Sequence, residues 1–357
     1  MDIKNIAPKT SVAVNFAAFI IIIAGVIYGA SIVTPLLMAL FISIICAQPI
    51  MWLQKKKVPQ GLAITLVFIF IIGIFVGFGE LISSSLSSFS DNATLYEKNL
   101  DEMGNSILQF FKEKGINIST EKMSALFAPS KVMGLTAGIL GSLGGLMGSA
   151  FTIFFLVIFL LLELDSISVK LKAILANSTN SLSYFNTIGN SIRHYLSIKT
   201  FTSLLTGVLI WIALAILGVD YAIIWGLIAF LLNYIPNIGS IIAAVPAVLF
   251  AVVQMGFGGA LWTTVIFVSV NMIIGTAIEP KLMGKGLGLS TFVVFVSLIF
   301  WGFILGTVGM FLSVPLTMAI KIMLEQKPST RWIAIILGTE GDAEAMMDKQ
   351  NPAIDNS

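Results

Sequence analysis

Three clusters of residues could do chemistry in this chain, and each lies in or beside a long apolar run. The first is Glu279, followed by Pro280 and Lys281, in the stretch AIEPKLMGKGLGLS at 277–290. A carboxylate ending an apolar run is a functional candidate by default, because an ionisable group is costly in hydrocarbon. It could bind a cation, carry a coupling proton, or pair with a base. The plainer reading places Glu279 and Lys281 at the headgroups, with Pro280 ending the helix. Asn271 lies two turns earlier, near the same helical face. Gly284, Gly286 and Gly288 then supply a flexible hinge. The second cluster is LLNYIPNIGS, which offers Asn233, Pro236, Asn237 and Gly239. Pro236 removes a backbone donor and frees a carbonyl. Each asparagine amide adds a donor and an acceptor, a set that suits an ion or a polar solute. The alternative is a tight turn whose asparagines satisfy their own backbone. The third is WGFILGTVGMFLSVP, where Gly306, Gly309 and Pro315 interrupt an apolar run.

Much other chemistry lacks its parts. There is one cysteine, Cys46, and one histidine, His194. No intramolecular disulfide, thiolate cluster or multi-histidine metal site can be built from them. No Ser-His-Asp, Cys-His or paired-carboxylate arrangement appears. The glycines of GLTAGILGSLGGLMG, 134–148, are followed by no Lys-Ser/Thr, so they read as a helix-packing face and not as a phosphate loop. We expect neither an enzyme nor a bound cofactor. Glu163 and Asp165 read as interfacial. Arg193 and His194 could gate or titrate, although a solvated face explains them as well.

The elements that must hold these clusters are membrane helices. Of 357 residues, 57% are hydrophobic and 11% are charged, against about 25% charged in soluble domains. Mean hydropathy is +0.99. A net charge of +2 leaves no general basic patch for nucleic acid. Apolar runs at 12–29, 32–53, 61–79, 149–163, 200–218 and 260–278 each approach the roughly 20 residues of a span. Two further stretches, 221–253 and 291–324, are too long for one span and are interrupted at 233–239 and 301–309. The chain therefore reads as an all-α polytopic membrane protein with about six full spans plus two broken, re-entrant hairpins. Eight or more tilted spans is the alternative.

Lysines and arginines orient it. Lys4, Lys9 and Lys55–Lys57 face the cytoplasm, and so do Lys281, Lys285, Lys321, Lys327 and Arg331. Both termini are then cytoplasmic. The divisions that follow are N-terminal spans (1–79), an external polar helical segment (80–131), a Gly-rich packing helix and span (132–163), a cytoplasmic amphipathic segment (164–199), a transport core (200–325) and a cytoplasmic tail (326–357). The external segment carries seven acids and five lysines. A weak inverted repeat runs through the core, one span followed by one broken hairpin, at 200–253 and again at 260–321. Gly239-SIIAA-Val245-Pro246 in the first unit answers Gly309-MFLS-Val314-Pro315 in the second. Inverted repeats with discontinuous helices characterise secondary transporters.

NYIPNIGS, IEPKLMGKGLGLSTFVVF and FWGFILGTVGMFLSVPLTMAIKI resemble the autoinducer-2 exporter family of bacterial inner-membrane proteins. The resemblance is dense over 195–325. Further upstream it rests on span order and on the turn Lys57-Val58-Pro59. This chain departs from the family pattern at Gly306-Thr307-Val308-Gly309, where a proline is often found. The resemblance implies a transporter of the bacterial inner membrane, with export of the small hydroxylated signal autoinducer-2 as the expected activity. Other members of the family look like monovalent cation/proton antiporters, with sodium or lithium as the ion. In that case Glu279 is the ion and proton site. A third reading, a scaffold built around 80–131, has no need of broken hairpins. The glycine-rich face and the external segment point to a homo-oligomer in a lipid bilayer.

Overall fold

The structure is a computed structural model that describes residues 12–114, 151–163, 179–283, 288–326 and 328–341, with a few isolated positions besides. Gly284, Gly286, Asp165 and most of the run 134–148 lie outside the described residues. Among those described there are helices and no strands, the all-helical architecture expected of a polytopic membrane protein. In chain order they are α1 (Val12–Tyr28), α2 (Ala30–Lys55), α3 (Gln60–Asp91) and α4 (Ala93–Glu113), then α5 (Phe151–Glu163). The second half holds α6 (Thr179–Leu217), α7 (Ala222–Leu232), α8 (Gly239–Asn271), α9 (Glu279–Met283), α10 (Thr291–Glu325) and α11 (Arg331–Leu337).

Five stretches of the described chain are long and apolar enough to cross a bilayer. Their outward faces carry large apolar side chains, such as Ile216 at 82% and Phe303 at 78% exposure. In water such faces would be a liability, whereas in lipid they are the solvated surface.

Two of the five stretches are not straight rods. Gly306 in α10 has φ 66°, ψ −148°, and Gly256 in α8 has φ 72°, ψ −165°. That region of backbone space is open essentially to glycine alone. In α10 the Trp301 indole N–H donates to Thr317 Oγ1 at 3.0 Å across 16 residues. On a straight helix those residues would stand about 24 Å apart, so the two halves of α10 lie side by side. Ser240 and Asn271 line one cleft although a straight helix would separate them by more than about 40 Å. The halves of α8 therefore also fold back on each other.

The chain folds back once more between α7 and α8. α7 has 11 residues, about 16 Å, or roughly half the hydrocarbon thickness. Its first turn meets the far end of the first half of α8, with Trp225 and Phe250 ring centroids 5.6 Å apart. The Gln254 side chain closes that end. Its Oε1 accepts from the Asp220 N–H at 2.8 Å, and its Nε2 donates to the Gly218 carbonyl at 3.0 Å. α6 and α7 approach glycine to glycine. A Cβ on Gly207 would come within 2.8 Å of the Gly226 carbonyl oxygen, and one on Gly226 within 2.6 Å of the Gly207 oxygen. Small residues of this kind let membrane helices touch backbone to backbone.

Three apolar cores result. One joins α2, α3 and α5 around Ala39, Ala63 and Leu161. A second gathers Phe41 of α2 with Tyr195, Tyr234, Leu312 and Val314 of the C-terminal half. The third seats α3 and α4 on the closed end of the α7–α8 hairpin through Phe89, Tyr96, Trp225 and Phe250. Here the Tyr96 hydroxyl donates to Asp220 Oδ2 at 2.9 Å. Burial first, then its hydrogen bonds to Tyr221 and Asp220, push the Tyr96 phenol well above its ordinary value, so it remains a protonated donor. Tyr96→Phe keeps the ring and deletes this bond. We expect a loss of about 1–2 kcal/mol, read as a lower melting temperature in detergent, with the N-terminal core unaffected.

Candidate functional site

α6 carries the site. Lys199, Thr202, Ser203 and Thr206 sit at i, i+3, i+4 and i+7, which is one face of a helix. All four are buried within an otherwise apolar span. The hydroxyls remain helical because several bond back to their own backbone. Thr200 Oγ1 donates to the Leu196 carbonyl at 2.7 Å and Thr206 Oγ1 to the Thr202 carbonyl at 2.9 Å.

Glu279 faces this stripe. Lys199 Nζ lies 2.7 Å from its Oε1 and 3.0 Å from its Oε2. The side chains are 6% and 16% exposed. Thr202 Oγ1 is 3.3 Å from Glu279 Oε2 and 3.2 Å from the Lys199 carbonyl, and its single proton serves one of them at a time. The carboxylate is brought here by a seven-residue π-helical segment, Met272–Ile278, directly ahead of α9. Such segments are rare and recur at functional sites.

The stripe also holds the first helix break. Asn233 Nδ2 donates to Ser203 Oγ at 3.0 Å, and Tyr234 OH to Thr200 Oγ1 at 2.9 Å. The Tyr234 ring packs against Phe41, Phe230 and Phe311, with centroids 5.8–6.3 Å away. Phe311 follows the second break by two residues, so Tyr234 of the first break packs against the second broken helix. Each tip is sealed by a glycine. A Cβ on Gly239 would lie 1.8 Å from the Leu232 carbonyl oxygen, and one on Gly309 would lie 1.9 Å from that of Trp301.

Other residues singled out from the sequence stand further off. Pro236 forms the turn itself, with the Ile238 N–H bonded to its carbonyl. Asn237 adopts φ 61° and is exposed. Asn271 lines the cleft within α8, and the π segment lies between it and Glu279. Pro280 occupies the first turn of α9 and is exposed. The Gly288 carbonyl accepts from Lys321 Nζ at 2.5 Å. Pro315 is buried in the second half of α10. Glu163 forms an exposed ion pair with Lys170.

Sequence reasoning missed the α6 stripe. Lys199 reads as the last charge of a polar segment, and the three hydroxyls do not lower an apolar window enough to be noticed. Their i, i+3, i+4, i+7 spacing was the available signal.

The assembled site has hydroxyls, one amide and one neutralised charge pair. It has no nucleophile paired with a base. No group of three or more metal-ligating side chains occurs among the described residues. A helical membrane protein whose first helix break is bonded to a buried, hydroxyl-lined stripe, with a second broken helix packed beside it, has the construction of a transporter. The chain belongs to the AI-2E transporter family. The family's model, described as AI-2E family transporter, matches residues 16–329. A Haemophilus influenzae protein provisionally called a transport protein is 40% identical over 334 residues, covering 92% of this chain and 96% of its own. The AI-2 transport protein TqsA of Escherichia coli is 35% identical, with coverage of 91% and 95%. The E. coli protein YhhT, also provisionally called a transport protein, is 33% identical, with coverage of 92% and 94%.

Proposed function

We propose that this protein is a secondary transporter of the bacterial inner membrane, not an enzyme, and that it exports autoinducer-2 as a homo-oligomer with both termini in the cytoplasm. One observation carries the reading. The α6 stripe is buried, and it joins Glu279 at one end to the first helix break at the other. Hydroxyls and an amide offer donors and acceptors without a net charge, which suits a small hydroxylated solute. TqsA, one of the relatives, is named for transport of AI-2. Inverted broken hairpins supply the two elements that alternating access requires.

The second reading is a monovalent cation/proton antiporter centred on Glu279. The carboxylate is already held by an ammonium at 2.7 Å, so a cation must displace Lys199 before it can bind. The geometry therefore favours the neutral solute.

Proteoliposomes separate the two readings. Labelled autoinducer-2 flux is followed with and without an imposed pH or sodium gradient, while a pH dye reports proton movement. We expect signal flux that follows a gradient. Proton movement that depends on sodium or lithium, with no signal flux, sinks the export reading and establishes the antiporter.

A further inference from the structure

One turn beyond the ion pair lies a separate pocket of about 310 Å³ between α6 and α10. It sits at the small end of ligand pockets, roughly 300–1,000 Å³, so it fits one small solute and excludes a peptide. Ser191, His194 and Tyr195 of α6 form one wall, and Lys321 and Glu325 of α10 form the other. Met318 adds an apolar patch.

Its chemistry selects by neutrality. Lys321 is only 6% exposed. Its ammonium is held by the Gly288 carbonyl at 2.5 Å and by Glu325 at 3.4 Å. The two charges cancel, so an anion meets an acid and a cation meets a base. Hydroxyl groups meet both donors and acceptors. The Tyr195 side chain is 3% exposed, lines the pocket, and has no hydrogen-bond partner among the described residues. Its phenol can donate one hydrogen bond and accept another, which suits a hydroxylated ligand.

Its position gives the pocket a use. Ser191, Tyr195 and Lys199 follow one another at four-residue spacing, so each neighbours the next along the surface of α6. Met283, another lining residue, follows Glu279 by four. The pocket therefore lies one turn, about 5 Å along the helix axis, from the Lys199–Glu279 pair, and the stripe continues on the far side of that pair. We propose that this pocket is the loading site of the pathway: it takes one small, net-neutral, multiply hydroxylated solute and passes it to the α6 stripe through the Lys199–Glu279 pair. This rests on the transport reading above.

The test uses the full chain in proteoliposomes with labelled autoinducer-2 as the probe. Tyr195→Phe keeps the packing and deletes one hydroxyl. The expected result is a KM raised about tenfold with the maximal rate retained. In a Cys46→Ala background, Ser191→Cys is expected to react with a membrane-impermeant maleimide from one side only and to be protected by autoinducer-2. Flux by the parent protein, an unchanged KM in Tyr195→Phe and no protection would overturn the loading site and leave the export reading standing. No flux by the parent protein removes the export reading, and the loading site with it.

Discussion

Lys199→Met on its own is expected to cost about 3–5 kcal/mol of stability, and Lys199→Met combined with Glu279→Leu to recover most of that loss. A charge taken out of water carries a desolvation penalty of several kcal/mol, which only a well-placed partner offsets. Glu279 has that partner at 2.7 and 3.0 Å, and neither side chain is more than a sixth exposed. Removing the ammonium leaves a buried carboxylate with the Thr202 hydroxyl as its remaining neighbour. Replacing both groups with apolar ones of similar volume removes the penalty together with the attraction, and such replacements are often neutral or stabilising. Thermal unfolding of purified protein in one detergent reads both variants. If the single variant melts with the parent, the pair does not have the structural weight assigned to it. If the double variant folds yet carries no solute, the pair is retained for transport.

The second large effect is steric. Gly309→Ala places a methyl carbon 1.9 Å from the Trp301 carbonyl oxygen and 2.9 Å from Leu305 Cβ. The first obstacle is backbone, so a change of rotamer cannot relieve it and the two halves of α10 must part. Overpacking by one methyl usually costs about 1–3 kcal/mol. Here the collision is with the hairpin itself, so we expect the upper end or beyond, seen as loss of folded protein in the membrane. Separation of the halves also removes the Trp301–Thr317 bond, and the tryptophan emission should shift toward the red. Gly77→Ala is the control. A Cβ on Gly77 would meet nothing within 4 Å, and alanine is the better helix former by roughly 1 kcal/mol. Equal yields of the two variants would refute the crowding argument.

Some of this was legible in the chain and some was not, for physical reasons. The breaks at 233–239 and 301–309 announce themselves because proline, glycine and asparagine interrupt runs too long for one crossing. That Gly239 and Gly309 do the same work is legible as well, since each precedes a Val-Pro pair by a similar interval. The pairing of Glu279 was open, with cation, proton and base all admissible. The choice depends on Lys199, 80 residues away, which no local pattern connects to it. Between Asn271 and Glu279 the structure holds a feature that the chain does not announce. Eight residues at α-helical pitch bring them near one face, and the structure places a π segment between them. The end of α6 illustrates a different limit. Hydropathy averages over a window, and a stripe of hydroxyls on one face of a helix disappears into the apolar mean.

The distance between Lys199 and Glu279 along the chain has a consequence for synthesis. Chains grow at about 5–20 residues per second, so Lys199 exists for roughly 4–16 s before its counter-charge leaves the ribosome, given the 80 residues between them. Through that interval the ammonium has no carboxylate. It can lower its cost by reaching along its four-carbon stem toward the nearer headgroup layer. Neutralisation of the lysine therefore waits for the π segment and α9 to be made. The order of translation places the formation of the Lys199–Glu279 pair after the synthesis of α6.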